Sequence, residues 1–168
     1  RPEAVDQKSR IGDWEADTVI GKRCRGALLS MVERSTKFLV LGHLKRKTAD
    51  GTREEQVRCL WPYRDRVLTI TQDNGREFAR HEEVAEQLVA DIYFAHPYAS
   101  WERGLNENTN GLIRQYFPKD RELRNVDPDE IEHAVDRLNH RPRKSLRYQT
   151  PFEAFFGTSE SLTVALGS

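Results

Sequence analysis

Apolar positions along the chain change their spacing several times, and each change marks an element. Glu15 to Gly21, Ala27 to Glu33 and Phe38 to His43 are short runs rich in Val, Leu, Ile and Trp, separated by Gly21 to Gly26 and Arg34 to Lys37. Such runs with tight links predict three sequential strands in an antiparallel meander. From Asp50 to Tyr63 the period becomes helical, with Val57, Leu60 and Trp61 at i, i+3 and i+4 and Pro62 as terminator. Val67 to Gln72 predicts a strand running into the turn signature Asp73-Asn74-Gly75. Val84 and Leu88 mark a helix, and Asp91 to Ala95 a fifth strand. The order βββαβαβ, followed by helices, predicts an α/β domain: a five-stranded mixed sheet containing the meander, with helices on both faces.

Pro97, Tyr98, Ser100 and Gly104 make His96 to Gly104 a loop before a helix over Leu105 to Phe117. At about 100° per residue, Leu105, Thr109, Leu112, Ile113 and Tyr116 share one face. Glu107 and Arg114 project from the opposite one, flanked by Asn110 and Gly111. Asp127 reads as the N-cap of a further helix, with Pro128 at its first position, Glu130 in a capping box and Ile131, Ala134, Val135 and Leu138 as its buried stripe. Arg141 to Arg147 holds four basic residues in seven, and Thr150 to Phe156 predicts a short closing helix. The division is a lead-in over 1–12, one domain over 13–156 and a loosely held tail over 157–168.

Composition narrows the classes. With 168 residues, 37% hydrophobic and 32% charged, a single globular domain is the expectation. There is no apolar run near the roughly 20 residues a bilayer crossing needs, and no cationic stretch leading into an apolar one at Arg1, so the expected location is the cytoplasm. Cys24 and Cys59 are too few for a disulfide scaffold and are expected as reduced packing residues; the five histidines show no metal-ligand spacing with them. Lys and Arg number 27 against 27 Asp and Glu. That balance argues against an autonomous nucleic-acid coat but leaves open an enzyme whose anionic site offsets local basic patches.

Three carboxylates stand out by position. Asp17 lies inside an apolar strand, Asp73 ends another, and Glu107 stands on the polar face of a helix. A carboxylate inside a strand is costly unless its charge is balanced, and a shared divalent cation balances it well. Hard oxygen donors favour Mg²⁺ or Mn²⁺, and two such ions roughly 3.5–4 Å apart can activate an attacking oxygen and stabilise a leaving one. On pattern alone each remains open to the reading of a solvated surface acid.

The motifs around them carry a resemblance. Trp14-Glu15-Ala16-Asp17-Thr18, Thr71-Gln72-Asp73-Asn74-Gly75-Arg76-Glu77-Phe78 and Pro97 to Asn108 resemble the three acidic motifs of DDE transposases and retroviral integrases, whose cores have the ribonuclease H-like fold. Thirty-three residues separate Asp73 from Glu107, and Asn106 to Lys119 closely resembles the bacterial insertion-sequence family numbered thirty, as does the closing segment with Arg141-Pro142-Arg143 and Thr150-Pro151. The resemblance spans about Ile11 to Phe156. It implies a ribonuclease H-like catalytic core in which Asp17, Asp73 and Glu107 bind two Mg²⁺ (or Mn²⁺) ions and no small-molecule cofactor. Water would free a 3′-hydroxyl at an element end, and that hydroxyl would attack target DNA. The implied partners are DNA at element ends and target, and further copies of the chain in a dimer or higher assembly. Family members usually carry an N-terminal helix-turn-helix region, so the chain resembles an excised catalytic domain.

Glu15, on the same side of its strand as Asp17, and Glu102, in the loop, are the competing acids; the family register favours Asp17 and Glu107. Arg103, Asn110, Arg114, Lys119, Arg141, Arg143, Lys144 and Arg147 are candidate DNA contacts, with a solvated basic face as the alternative. Trp101 is a candidate for stacking on an unpaired base. Trp14, Trp61 and Tyr116 are expected in the core. Two other functions stay open: a ribonuclease H-like nuclease or resolvase that only hydrolyses, and a non-catalytic DNA-binding or oligomerisation module.

Overall fold

A computed structural model of the chain describes residues 3–96 and 104–157. Arg103, Trp101, Glu102 and the 158–168 part of the tail lie outside the described residues. The expected succession is present: β1 (Asp13–Ile20), β2 (Ala27–Glu33), β3 (Leu39–Leu44), α2 (Ala49–Leu60), β4 (Thr69–Gln72), α3 (His81–Leu88), β5 (Asp91–Phe94), α4 (Gly104–Ile113), α5 (Pro128–Asn139) and α6 (Pro151–Phe156). A one-turn helix inside the lead-in, α1 (Glu3–Gln7), was not expected. The sheet order is β3-β2-β1-β4-β5. The meander β1-β2-β3 is antiparallel because its links are short, whereas β4 and β5 join in parallel through the crossover helices α2 and α3. Alternation in the central strands sends Trp14, Ala16, Leu29, Met31 and Ile70 into one core with Leu60, Val84 and Leu88. It sends Val19, Leu28, Val32 and Leu41 into a second core with Ile113, Phe117, Ala134 and Leu138. The sheet is therefore covered on both faces, as the mixed α/β pattern predicts.

Several details differ from the sequence expectations. β1 starts two residues early because buried Asp13 is held by Arg10 Nε at 2.9 Å and Thr69 Oγ1 at 2.8 Å. α2 stops at Leu60, and the chain runs on as a 3₁₀ turn over Trp61–Arg66. Its changed pitch leaves Trp61 48% exposed, with the Arg64 guanidinium 4.7 Å from the ring centroid, instead of buried. α4 ends at Ile113, and 114–117 close as turns, consistent with the bar that Pro118 places on a helical conformation just before it. Asp127 caps α5 by accepting from the Asp129 N–H, but Glu130 makes no capping box and instead takes both ends of the Arg121 guanidinium. A full capping box forms at α6, between Thr150 and Glu153. Cys59 packs inside while Cys24 is exposed. Burial, with Glu55 alongside, pushes the Cys59 thiol up to about 12, so it is protonated and unreactive. Among the described residues no helix is long and apolar enough to cross a membrane.

Candidate active site

The β1–β4 register brings the first two carboxylates together. Glu15 pairs with Thr71 across these parallel strands, so two residues further on Asp17 is level with Asp73, just past the end of β4. Asp17 Oδ1 accepts from the Thr18 N–H at 2.9 Å, and Oδ2 accepts from Asn110 Nδ2 at 2.9 Å. The Asn110 carboxamide oxygen in turn accepts from Ser30 Oγ at 3.3 Å, and Ser30 sits opposite Asp17 on β2. α4 packs on the sheet mainly through Leu105 and Ile113, and this polar trio fixes its register against β1. Asn110 thus has its carboxamide engaged inside the protein.

Asp73 is set by its own turn: Oδ1 accepts from the Gly75 N–H at 2.9 Å. Gly75 keeps this turn clear of any side chain. A Cβ at this position would lie 2.4 Å from Glu77 Oε2 and 2.8 Å from Asp73 Oδ1, so a side chain there would push these two carboxylates aside. Glu77 is 7% exposed. Its Oε1 accepts from Thr18 Oγ1 and from Lys47 Nζ, both at 3.1 Å. Burial pushes its pKa up, but hydrogen bonds from its own N–H, Lys47 and Thr18 outweigh this and hold it below the usual carboxylate range.

Glu107 is exposed on α4, one helical turn before Asn110. It is therefore tied to Asp17 through a shared helix, while among the described residues no three His, Cys, Asp or Glu side chains are gathered closely enough to hold a metal ion. Glu15, the competitor of Asp17, is 1% exposed and paired with Arg34, itself 4% exposed, which accounts for it structurally. Like Asn110, three of the candidate DNA contacts among the described residues bond within the protein. Arg114 donates to the Ile20 carbonyl at 2.9 Å, and burial lowers its pKa. Arg141 donates to Gln115, and Arg143 to the Leu138 carbonyl. Lys119, Lys144 and Arg147 are exposed. Sequence reasoning passed over Ser30, Lys47 and Glu77. Glu77 lay inside a quoted motif and Lys47 in the charge run Lys45-Arg46-Lys47, but nothing in one dimension pairs them.

With this geometry in hand, solved structures define the fold. The chain has the fold of retroviral integrase catalytic cores, the ribonuclease H-like fold. It superposes on a simian T-cell lymphotropic virus intasome with a TM-score of 0.70 at 20% identity, covering 89% of this chain and 55% of that one. It superposes on the HTLV-2 integrase catalytic core domain, solved in complex with magnesium, with a TM-score of 0.66 at 18% identity over 86% and 95%. No family model matches the sequence. Its homologues include insertion-sequence transposases. The transposase for insertion sequence element IS4351 of Bacteroides fragilis is 46% identical over the whole chain and 52% of that protein. Transposase InsI for element IS30A of Escherichia coli K12 is 34% identical over 91% of the chain and 40% of that protein. The chain thus spans about half the length of these curated relatives or less.

Proposed function

We propose that the chain is the catalytic core of a DNA transposase that hydrolyses the phosphodiester at element ends and then transfers the freed 3′-hydroxyl to target DNA. What supports this reading is the β1–β4 register, which pairs Glu15 with Thr71 two residues before Asp17 and Asp73, together with the bond from Asn110, on the helix of Glu107, to Asp17. Asp17, Asp73 and Glu107 are the residues that would hold Mg²⁺ or Mn²⁺, an all-carboxylate set suited to hard cations. Bound there, two divalent ions would stabilise the charge that builds on the phosphate in an in-line displacement. The protein's own part is preorganisation: Asn110 turns one face of Asp17, and the Gly75 N–H orients Asp73. DNA and further copies of the chain are the proposed partners.

Incubating linear DNA bearing element ends with a supercoiled target and Mg²⁺ tests the reading. Joined products are expected. Cut products without joining would assign a nuclease instead, and neither product would leave a binding module.

Two variants probe the preorganisation. Asn110→Ala removes the amide that turns Asp17 and is expected to lower cleavage about 10- to 100-fold, the cost typical of losing an outer-shell ligand partner. Its unfolding free energy should fall by about 2 kcal/mol, the worth of the two hydrogen bonds it loses. Gly75→Ala forces the Asp73 and Glu77 carboxylates apart while keeping an ordinary backbone, since Gly75 has φ −66°. Cleavage should drop with little change in melting; a variant cutting at the parent rate would show that Asp73 tolerates displacement.

A further inference from the structure

We propose that the basic turn Lys45-Arg46-Lys47, between β3 and α2, is the surface that grips the duplex DNA backbone beside the carboxylates, with Lys47, aimed by Glu77, as its innermost phosphate contact. This rests on the transposase reading above. Ile20 pairs with Ala27 and Ala27 with Leu44, so the β1–β2 turn and the turn leaving β3 lie at one end of the sheet, about three residues or 10 Å along β1 from Asp17. That end is strongly positive. Lys22, Arg23, Lys45 and Arg46 are all exposed there, and among the described residues none of the four is in an ion pair. In a chain of zero net charge, attraction for a polyanion has to come from such a concentration.

Lys47 extends this rim inward. Its backbone is fixed between the end of β3 and Thr48, the N-cap of α2. Its ammonium meets the same Glu77 oxygen as the hydroxyl of Thr18, the neighbour of Asp17. The side chain stays 37% exposed, and an ammonium has three N–H donors, so bonding Glu77 leaves donors for a phosphate. Glu77 is a positioning residue in this arrangement: it draws the lysine from edge strand β3 across to the β1–β4 end where Asp17 and Asp73 sit. The competing role for Lys47 is that of a counter-ion to Glu77 alone.

Duplex affinity measured against salt separates the two roles. Lys47→Ala is expected to reduce the slope of log K against log salt by about 0.9, one phosphate contact, and Lys47→Arg to restore it. Changing Lys45 and Arg46 together to Ala should reduce the slope by up to about twice that. Lys8→Ala, next to α1, should leave it unchanged. Glu77→Gln keeps the cation but loosens its aim, so the slope should fall part of the way towards that of Lys47→Ala; a parent slope would remove Glu77 from the grip. A parent slope in both Lys47→Ala and the Lys45/Arg46 double variant overturns the surface. The function fails separately: a chain that binds no duplex overturns both proposals, whereas Asp73→Asn cleaving at the parent rate removes the catalytic reading and leaves the DNA-binding face standing.

Discussion

Asp73→Asn is expected to abolish strand cleavage and joining while leaving the melting transition level or slightly higher. The amide keeps the oxygen that accepts the Gly75 N–H, so the turn after β4 survives. It removes one negative charge from a region that already holds Asp17 level with it and Glu77 across Gly75, so repulsion among clustered carboxylates falls. What it removes functionally is an anionic ligand for a hard cation, which a neutral carboxamide replaces poorly. Cleavage assays and thermal melts on the same preparation read the two effects independently. Parent-level cleavage would refute a ligand role for Asp73, and a collapsed transition would make it a structural residue.

The second large effect is expected at the other end of β1, in stability. Glu15 and Arg34 are both almost fully buried and bonded to each other, and Arg34 Nε also donates to the Val5 carbonyl at 2.9 Å, which fastens α1 to the sheet. Arg34→Met removes the guanidinium bonded to the buried Glu15 carboxylate. Breaking a buried pair from one side costs about 3–5 kcal/mol, a large part of the roughly 5–15 kcal/mol that holds a domain folded. For a chain of this size that corresponds to a fall in Tm on the order of 10 °C. Combining it with Glu15→Leu should recover most of the loss, because an apolar pair of similar volume avoids the desolvation penalty altogether. Calorimetry on the two single variants and the double variant measures the coupling. Singles that melt like the parent, or a double that loses the sum of both, would show that the pair is not the unit holding this end of the sheet.

Much of the scaffold was legible in one dimension because its signals are local. The apolar run of β2 marked Ala27 to Glu33 with the bounds observed, and Asp127 and Thr150 announced the starts of α5 and α6 through hydrogen bonds made within a turn. Where local rules compete with packing, the reading slipped. Glu130 sits in the right place for a capping box but is claimed by Arg121, and Trp61 follows the helical period of α2 but falls where the helix tightens into a 3₁₀ turn.

The sequence by itself determined the element order, the mixed sheet, and Asp17, Asp73 and Glu107 as the acids to examine, because strand alternation, turn residues and motif spacing are properties of neighbours along the chain. Only the tertiary structure decided how those acids are supported. The pairing of Glu15 with Thr71 lies two residues before Asp17 and Asp73, the packing of α4 on the sheet puts Asn110 against Asp17, and the end of the meander carries Lys47 to Glu77. The same folding took Glu15 out of contention by burying it against Arg34, a residue nineteen positions away. Side-chain partners of this kind are chosen by register and layer packing, which join residues tens of positions apart, and no period read along a single chain contains that information.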